Sequence, residues 1–242
     1  MNSNYQYNDI AKMIDHSLLN PSLTFAELDD GCILARTYDV ASVCVLPYYV
    51  SRSTELLAGT TVHASTTIGF PHGGHVTGIK LAEARQALAD GASELDMVIN
   101  ISKARSGDWG YVEKEIRVLC AAAHDAGARL KVIFENAYHS TAAKIRLCEI
   151  CGTIGVDWVK TSTGYAPTGA TMEDLLLMRQ HSPASVQVKA AGGIRDLDSL
   201  LAVRELGVTR VGATRTATML DDGRERIGLP RIAYQSAPPV GY

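Results

Sequence analysis

Short runs of apolar residues recur along the chain, and most are apolar almost throughout instead of alternating with polar positions. Seven of them are clear, at 41–47, 63–71, 93–100, 129–136, 156–163, 185–193 and 208–214. A shorter run at 13–19 adds an eighth and comes first in the chain. Continuous apolar runs of this length are typical of parallel strands that are covered on both faces.

Segments with helical periodicity separate these runs. In the segment that begins at Gly78, an apolar stripe is formed by Leu81, Ala84, Leu88 and Ala89. The segments at 109–128 and 172–180 also carry apolar residues at helical spacing, and Thr171 is suited to cap the second of them. Strand alternating with helix predicts right-handed βαβ units in a parallel sheet.

The number of units selects the architecture. Eight units in 242 residues, about 30 residues each, predict a single-domain (β/α)8 TIM barrel over residues 1–242. A doubly wound open sheet is the alternative, but no Gly-rich dinucleotide fingerprint follows the first strand. We expect a flexible C-terminal tail at about 234–242, because SAPPVGY carries turn residues and no apolar pattern.

Composition narrows the class of protein. Apolar residues make up 46% of the chain and the net charge is −3, which gives no electrostatic footprint for nucleic acid or an anionic membrane. No apolar run approaches the roughly 20 residues that span a bilayer. The N-terminus lacks a signal-peptide pattern, and five cysteines form no disulfide scaffold. These features predict a cytoplasmic protein with reduced thiols.

Polar side chains collect toward the ends of the apolar runs, where barrel enzymes carry their chemistry. Lys160 and Lys189 lie on consecutive predicted strands, which are neighbours about 4.8 Å apart. Burial and mutual repulsion both lower a lysine pKa, and a neutral lysine forms Schiff bases with carbonyl carbon. Asp96 is placed to move protons or to hold a lysine by an ion pair. The alternative is a pair of lysines that reach solvent from the strand ends.

Two glycine loops form a second cluster. Gly192 and Gly193 follow one strand and precede a helix that Asp196 is suited to cap, and Gly212 follows the next strand. Barrels often bind phosphate at the loops after strands seven and eight, on backbone N–H groups. We therefore predict a phosphate site there, to which Arg195 or Arg215 adds charge.

Other polar motifs point to packing instead of chemistry. His72 and His75 lack a third ligand nearby in sequence, so we expect them to be exposed and predict no metal site. Cys148 and Cys151 fall in a helical segment without a second pair, and we expect core packing.

The motifs resemble a known family. VKTSTGYAPTGATMEDLLLM, VKAAGGIRD, ELDMVIN, IDHSLLNP, SVCVLPYYV and TIGFPHG are similar, in order from about residue 10 to 218, to the signature segments of deoxyribose-phosphate aldolases. That family is composed of class I, Schiff-base aldolases with a (β/α)8 fold. The resemblance implies reversible cleavage of 2-deoxy-D-ribose 5-phosphate to acetaldehyde and D-glyceraldehyde 3-phosphate, as in deoxyribonucleotide catabolism. It implies no metal or organic cofactor, and it suggests a homodimer.

The resemblance also implies a role for each matched residue. Lys160 would be the nucleophile, Lys189 would depress its pKa, and Asp96 would transfer protons through water with the help of Asp15. Tyr242 would either assist protonation or belong to a free tail. The substrate and its phosphate would be bound by Cys44, Thr161, Gly164, Gly192, Gly193, Ile194, Arg195, Gly212, Thr214 and Arg215.

Some positions depart from the family's pattern. Tyr165 stands where the family often has Phe or Lys, Leu46 replaces a common Asn, and Thr214 and Arg215 occupy positions of small serines. The sequence after Ala217 lacks the usual strongly helical ending. These departures leave open a Schiff-base aldolase with a different or unphosphorylated substrate. A phosphosugar-binding barrel without catalysis is the remaining alternative.

Overall fold

Eight parallel strands close into one barrel in the computed structural model, which describes residues 5–236. The strands pair in sequence order, and β8 pairs with β1 to close the ring. Their bounds are β1 Ile14–Leu18, β2 Ser42–Val45, β3 His63–Ile68, β4 Glu94–Val98, β5 Arg129–Ile133, β6 Trp158–Lys160, β7 Gln187–Ala191 and β8 Arg210–Ala213. The predicted TIM barrel and all eight predicted strands are therefore confirmed, and the open sheet is excluded.

Helices surround the barrel and connect its strands. They are α1 Tyr7–Ala11, α2 Phe25–Thr37, α3 Val50–Leu57, α4 Thr77–Ala89, α5 Ile101–Arg105, α6 Trp109–Asp125, α7 Thr141–Ile154, α8 Met172–His181, α9 Leu197–Glu205 and α10 Thr216–Arg226. The side chains of Thr171 and Asp196 accept hydrogen bonds from backbone N–H groups in the first turns of α8 and α9. Both predicted caps are confirmed, and they fix where each helix begins after its loop.

The two faces of the strands differ in chemistry. On β5 to β8 the outward side chains include Val132, Val159, Val188 and Val211, all fully buried under the helices. The inward side chains on the same strands include the lysines and an arginine, since successive residues of a strand point to opposite faces. The hydrophobic core is thus the layer between the strands and the helices, and the barrel interior is free to hold charge.

The structure corrects the sequence analysis at points of the outer layer. The segment after Ala217 is helical as far as Arg226, where α10 ends. At the start of the predicted tail, the Tyr234 hydroxyl donates to Asp30 at 2.8 Å and its amide donates to the Tyr38 hydroxyl, and the tail itself stays a prediction. On α4 the predicted stripe is shifted: Ala89 is exposed, while Lys80 is buried. Residues 237–242, including Tyr242, lie outside the described residues.

Within residues 5–236 the structure contains no helix that is both long enough and apolar enough to cross a bilayer.

Candidate active site

A layer of charged side chains fills the barrel interior. Its members, here called the barrel cluster, come from β1, β4, β5, β6, β7 and β8, and each has at most 6% of its surface exposed. They are Asp15, Glu94, Asp96, Lys131, Lys160, Lys189 and Arg210. Burying an unpaired charge is costly, so each member requires a partner of opposite sign.

Asp96 is the centre of this cluster. Its Oδ2 atom lies 2.7 Å from the Nζ atoms of both Lys160 and Lys189, and its Oδ1 atom lies 2.9 Å from the Nζ of Lys131. Burial alone would raise the pKa of this carboxyl, but the three lysines outweigh burial and hold the pKa well below its usual range. Asp96 is therefore an anion in the resting protein and accepts hydrogen bonds from all three lysines.

The two lysines that the sequence singled out are direct neighbours, with Lys160 paired to Lys189 in the β6–β7 register. Burial lowers the pKa of Lys160, and the charge of Lys189 lowers it further. The sequence analysis expects a lowered pKa for both lysines, but the pKa of Lys189 is raised. Burial opposes its charged form, but contacts with Asp15 at 2.5 Å and with Asp96 outweigh burial and raise its pKa. The structure thus separates a lysine whose pKa is lowered from a neighbouring lysine whose pKa is raised.

The charges of the barrel cluster explain this separation. It contains three carboxylates and four basic groups, one of which, Arg210, is always protonated. The cluster reaches electrical balance when one lysine is neutral, and Lys160 is the one whose pKa is lowered. Arg129 also contacts Glu94 at 2.8 Å, but its side chain is 37% exposed, so water screens its charge.

Depth in the barrel was misjudged from the sequence for both acids. Asp15 and Asp96 lie inside β1 and β4 and not at their ends. Asp15 accepts a hydrogen bond from Ser42 at 2.7 Å and is also bonded to Arg210. This position places its carboxylate beneath Lys189, where it holds the ammonium group.

Sequence reasoning missed three members of the barrel cluster, namely Glu94, Lys131 and Arg210. Lys131 bridges Glu94 at 2.6 Å and Asp96 at 2.9 Å, and Arg210 joins Glu94 to Asp15. The sequence does contain a signal for them, because charged residues occupy alternate positions within otherwise apolar runs. Glu94 and Asp96 alternate on one strand in this way, which marks them as facing the interior.

A cavity of about 420 Å³ opens above Lys160. It is bounded by the loops after β1, β6, β7 and β8. Of the residues predicted to bind substrate or phosphate, the lining includes Gly164, Gly192, Gly193, Ile194, Arg195, Gly212 and Thr214. Lys160 therefore opens into a space whose far wall is rich in glycine.

Close backbone packing explains why glycine is required in this wall. Gly192 has φ +79°, and a Cβ atom there would lie 2.9 Å from the Cα of Gly169. A Cβ atom on Gly169 would lie 2.4 Å from the carbonyl oxygen of Gly192. The amide of Ala170 donates to the carbonyls of Ala191 and Gly192, which fastens the two loops together. The wall is thus formed by backbone, as a site for an anion requires.

Three predicted binding residues do not line this cavity. Thr161 is fully buried, and its hydroxyl oxygen accepts a hydrogen bond from the amide of Ala191 at 3.1 Å. Cys44 is a buried thiol inside β2, and burial raises its pKa. Arg215 is exposed and occupies the N-cap position of α10. Their contribution to binding stays a prediction.

The weaker candidates behave as the sequence suggested. His72 and His75 are exposed, and Cys148 and Cys151 are buried in α7. Among residues 5–236 no group of three or more His, Cys, Asp and Glu side chains is arranged to hold a metal ion.

Comparison with known proteins agrees with this geometry. Residues 10–214 match the sequence profile described as DeoC/LacD family aldolase. A deoxyribose-phosphate aldolase from Rhodopirellula baltica is 60% identical over 240 residues, which cover 99% of this chain and 100% of that protein.

Solved structures agree as well. A candidate deoxyribose-phosphate aldolase from Coccidioides immitis has a TM-score of 0.87 and 37% identity, covering 91% of this chain and 87% of that one. A deoxyribose phosphate aldolase from Aeropyrum pernix, described as tetrameric, has a TM-score of 0.84 and 27% identity, covering 91% of this chain and 93% of that one. The chain belongs to the DeoC/LacD family of aldolases.

Proposed function

We propose that this protein is a class I aldolase that reversibly cleaves 2-deoxy-D-ribose 5-phosphate to acetaldehyde and D-glyceraldehyde 3-phosphate. The observation that carries the proposal is a buried lysine, Lys160, with a lowered pKa at the floor of a cavity with a glycine-rich wall. The relatives named as deoxyribose-phosphate aldolases support the choice of substrate.

The first step is attack of neutral Lys160 on the aldehyde carbon C1 of the open-chain sugar. The carbinolamine then loses water and becomes an iminium ion. Asp96 holds Lys160 at 2.7 Å and sets its position for this attack. Lys189 stays protonated and helps to keep Lys160 neutral, which is what nucleophilic attack requires.

Cleavage uses the iminium ion as the electron sink. Water beside Asp96 takes the proton of the C3 hydroxyl, and the C2–C3 bond breaks to release D-glyceraldehyde 3-phosphate. The electron pair of that bond forms a C1–C2 double bond while the C1–N π electrons move to nitrogen, which gives a neutral enamine. The iminium ion restores the surplus positive charge of the barrel cluster, whereas the enamine removes it. The buried charges therefore favour the enamine side of this step.

Protonation of C2 completes the cycle. The proton comes from water held near Asp96 and Lys189, and hydrolysis of the resulting iminium ion releases acetaldehyde and free Lys160. Because its pKa is held low, Asp96 stays a carboxylate that accepts hydrogen bonds and positions the water, and the ammonium of Lys189 resupplies the proton. Asp15 supports Lys189 from below.

The phosphate is proposed to bind at the far wall of the cavity. Gly164, Gly192, Gly193 and Gly212 line this wall together with Arg195, and we propose that the phosphate binds there through backbone N–H groups of the glycine loops and the positive charge of Arg195. Thr214 lines the same wall. Whether Cys44, Thr161 and Arg215 add to binding is tested by substitution, as is the role of Tyr242.

The assembly is proposed to be a homodimer in the cytoplasm. Five buried cysteines, none in a disulfide, suit a reducing compartment. The Aeropyrum pernix relative is described as tetrameric, so a tetramer is the alternative to be tested. Light scattering should give twice the chain mass of 26.0 kDa. Four times that mass would contradict the dimer.

Schiff-base trapping tests the proposed function. The protein is incubated with acetaldehyde, or with deoxyribose 5-phosphate, then reduced with borohydride and mapped by mass spectrometry. We expect an adduct on Lys160 that is absent in Lys160→Leu, together with loss of cleavage by at least about 10⁴-fold. Folded wild-type protein that forms no adduct with either compound would overturn the proposal.

A further inference from the structure

Glu135 has an unusual backbone at the cavity end of the barrel. It follows β5 and has φ 60° and ψ 64°, the left-handed conformation, although it is not glycine. Only 2% of its surface is exposed. A side chain in this conformation carries a steric cost, and such residues concentrate where the fold needs a side chain at one fixed place.

Both oxygens of the Glu135 carboxylate accept hydrogen bonds from Thr163. One oxygen accepts a hydrogen bond from the Thr163 amide at 3.1 Å, and the other accepts from the Thr163 hydroxyl. Thr163 lies three residues after Lys160, in the loop that follows β6. A carboxylate from one strand end thus holds the loop of the next strand by two charge-assisted hydrogen bonds.

The chain of hydrogen bonds continues across the mouth of the cavity. The Thr163 hydroxyl gives its hydrogen to Glu135, so its oxygen is free to accept from the Tyr165 amide at 3.0 Å. The Tyr165 hydroxyl donates to the carbonyl of Leu19 at 2.8 Å, in the loop after β1. Its ring also meets Phe70 edge-on, with centroids 5.4 Å apart.

Gly164 lies between the two held residues and has φ +91°. Thr163, Gly164, Tyr165 and Leu19 all line the cavity. The Cα of Gly164 lies 3.9 Å from where a Cβ on Gly192 would be, so this turn packs against the glycine loop after β7. The position of the turn therefore sets the width of the wall proposed to bind phosphate.

We propose that Glu135 is a positioning residue for recognition of the substrate phosphate. It fixes Thr163, and through Thr163 it fixes the turn of Gly164 and Tyr165 against the glycine loops. This inference rests on the proposed function. Loss of the Glu135 side chain should weaken phosphate recognition and leave the chemistry of Lys160 unchanged. Lys160 is held separately, by the β-ladder and by Asp96.

The test compares the cleavage of deoxyribose 5-phosphate with that of unphosphorylated deoxyribose. In Glu135→Ala we expect kcat/KM for the phosphorylated sugar to fall about tenfold, mainly through KM, with less than about a twofold change for the unphosphorylated sugar. Borohydride trapping of acetaldehyde on Lys160 should be retained.

Two further variants separate positioning from stability. Glu135→Gly removes the same carboxylate but relieves the left-handed strain, so it should be more stable than Glu135→Ala and show the same phosphate defect. Asp157→Asn is the matched control. The Asp157 carboxylate also accepts a backbone hydrogen bond, from Leu130 at 2.8 Å, but at the opposite end of the barrel. The Asp157→Asn variant should prefer the phosphorylated sugar to the same extent as wild type.

The outcomes are distinct. An equal loss of both sugars in the Glu135 variants, or a phosphate preference within about twofold of wild type, would overturn this inference and leave the proposed aldolase intact. A phosphate defect that is repaired in Glu135→Gly would also overturn it, because the defect would then follow stability. Wild-type protein that cleaves neither sugar and traps no aldehyde would overturn both.

Discussion

Two buried groups of charged residues in this protein each contain a lysine with a lowered pKa, but only one of the two groups opens into the described cavity. The barrel cluster lies inside the ring of strands. The second group, the outer pair of Lys80 and Glu115, lies between α4 and α6, outside the ring, with both side chains fully buried and 2.8 Å apart. In both groups burial lowers the pKa of one lysine, Lys160 in the first and Lys80 in the second.

The outer pair shows that a lowered lysine pKa does not by itself make a nucleophile. Lys80 also donates to the carbonyl of Val98 at 2.7 Å, and Glu115 accepts from the amide of Asn100 at 2.9 Å. The pair is one lysine and one carboxylate, and it joins α4 to α6 and both helices to the end of β4 and the residues just after it. Neither residue lines the described cavity above Lys160. The barrel cluster differs by having one basic group in excess and an opening above Lys160.

Among these substitutions, Asp96→Asn is expected to cause the largest loss of cleavage activity. Loss of the central carboxylate should lower kcat/KM for deoxyribose 5-phosphate about 10²- to 10⁴-fold, because proton transfer and the position of Lys160 both depend on it. Lys160 should still be trapped with acetaldehyde, since fewer carboxylates leave it less charged. The matched change in the outer pair, Glu115→Gln, should leave cleavage by folded protein within about threefold of wild type. Equal losses in the two variants would remove the distinction.

Lys80→Met should affect stability and not chemistry. It leaves Glu115 buried without its partner, so the free energy of unfolding should fall by about 3–5 kcal/mol in urea titrations. Lys80→Met/Glu115→Gln should recover about half of that loss, because the amide oxygen still accepts from Asn100. A folded Lys80→Met protein that no longer cleaves substrate would show that the outer pair belongs to the active site.

His16 provides a smaller test of burial, because the nearby charge of Asp30 opposes the effect of burial on its pKa but does not outweigh it. Burial lowers its pKa to about 4, and Nδ1 lies 2.8 Å from the Thr216 hydroxyl. The folded protein keeps this ring neutral while the unfolded chain protonates it near pH 6.5, so stability is full above pH 6.5 and falls as pH drops toward 4. At pH 5 the loss should be about 2 kcal/mol.

The measurement for His16 is urea unfolding at pH 7 and pH 5. His16→Asn should lose less stability than wild type over this range, whereas the exposed control His72→Asn should follow wild type. An identical pH dependence in all three proteins would contradict the assigned pKa direction.

The strands and their order were predictable because parallel strands covered on both faces leave continuous apolar runs. Lys160 stood out because it interrupts the end of an apolar run, and Lys189 because it lies in the next run along the chain, on the neighbouring strand. Lys131 and Glu94 were passed over because they lie within their runs, and their inward direction depends on a register that only closure of the ring defines. Arg210 reaches Asp15 across 195 residues of sequence, which local patterns cannot reveal.

Long-range partners also explain the errors in the outer layer. Lys80 breaks the expected apolar stripe of α4 because its partner comes from α6, 35 residues later. Tyr234, at the start of the expected tail, is hydrogen-bonded to Asp30 on α2, a contact that composition did not suggest. The role of Glu135 depends on a left-handed backbone that no sequence pattern announced. In each case a contact between distant segments outweighed the local signal.

Surplus positive charge in the barrel cluster lowers the pKa of Lys160, and the pH dependence of Lys160 trapping tests this effect directly. The rate of borohydride trapping with acetaldehyde is measured against pH in wild type, in Lys189→Met and in the control Lys80→Met. Wild type should titrate below the ordinary lysine pKa of 10.5. Lys189→Met leaves three carboxylates for three basic groups, so the apparent pKa of Lys160 should rise and trapping at pH 7 should slow by about tenfold or more. Lys80→Met should match wild type. A Lys189→Met profile that coincides with wild type would contradict the account.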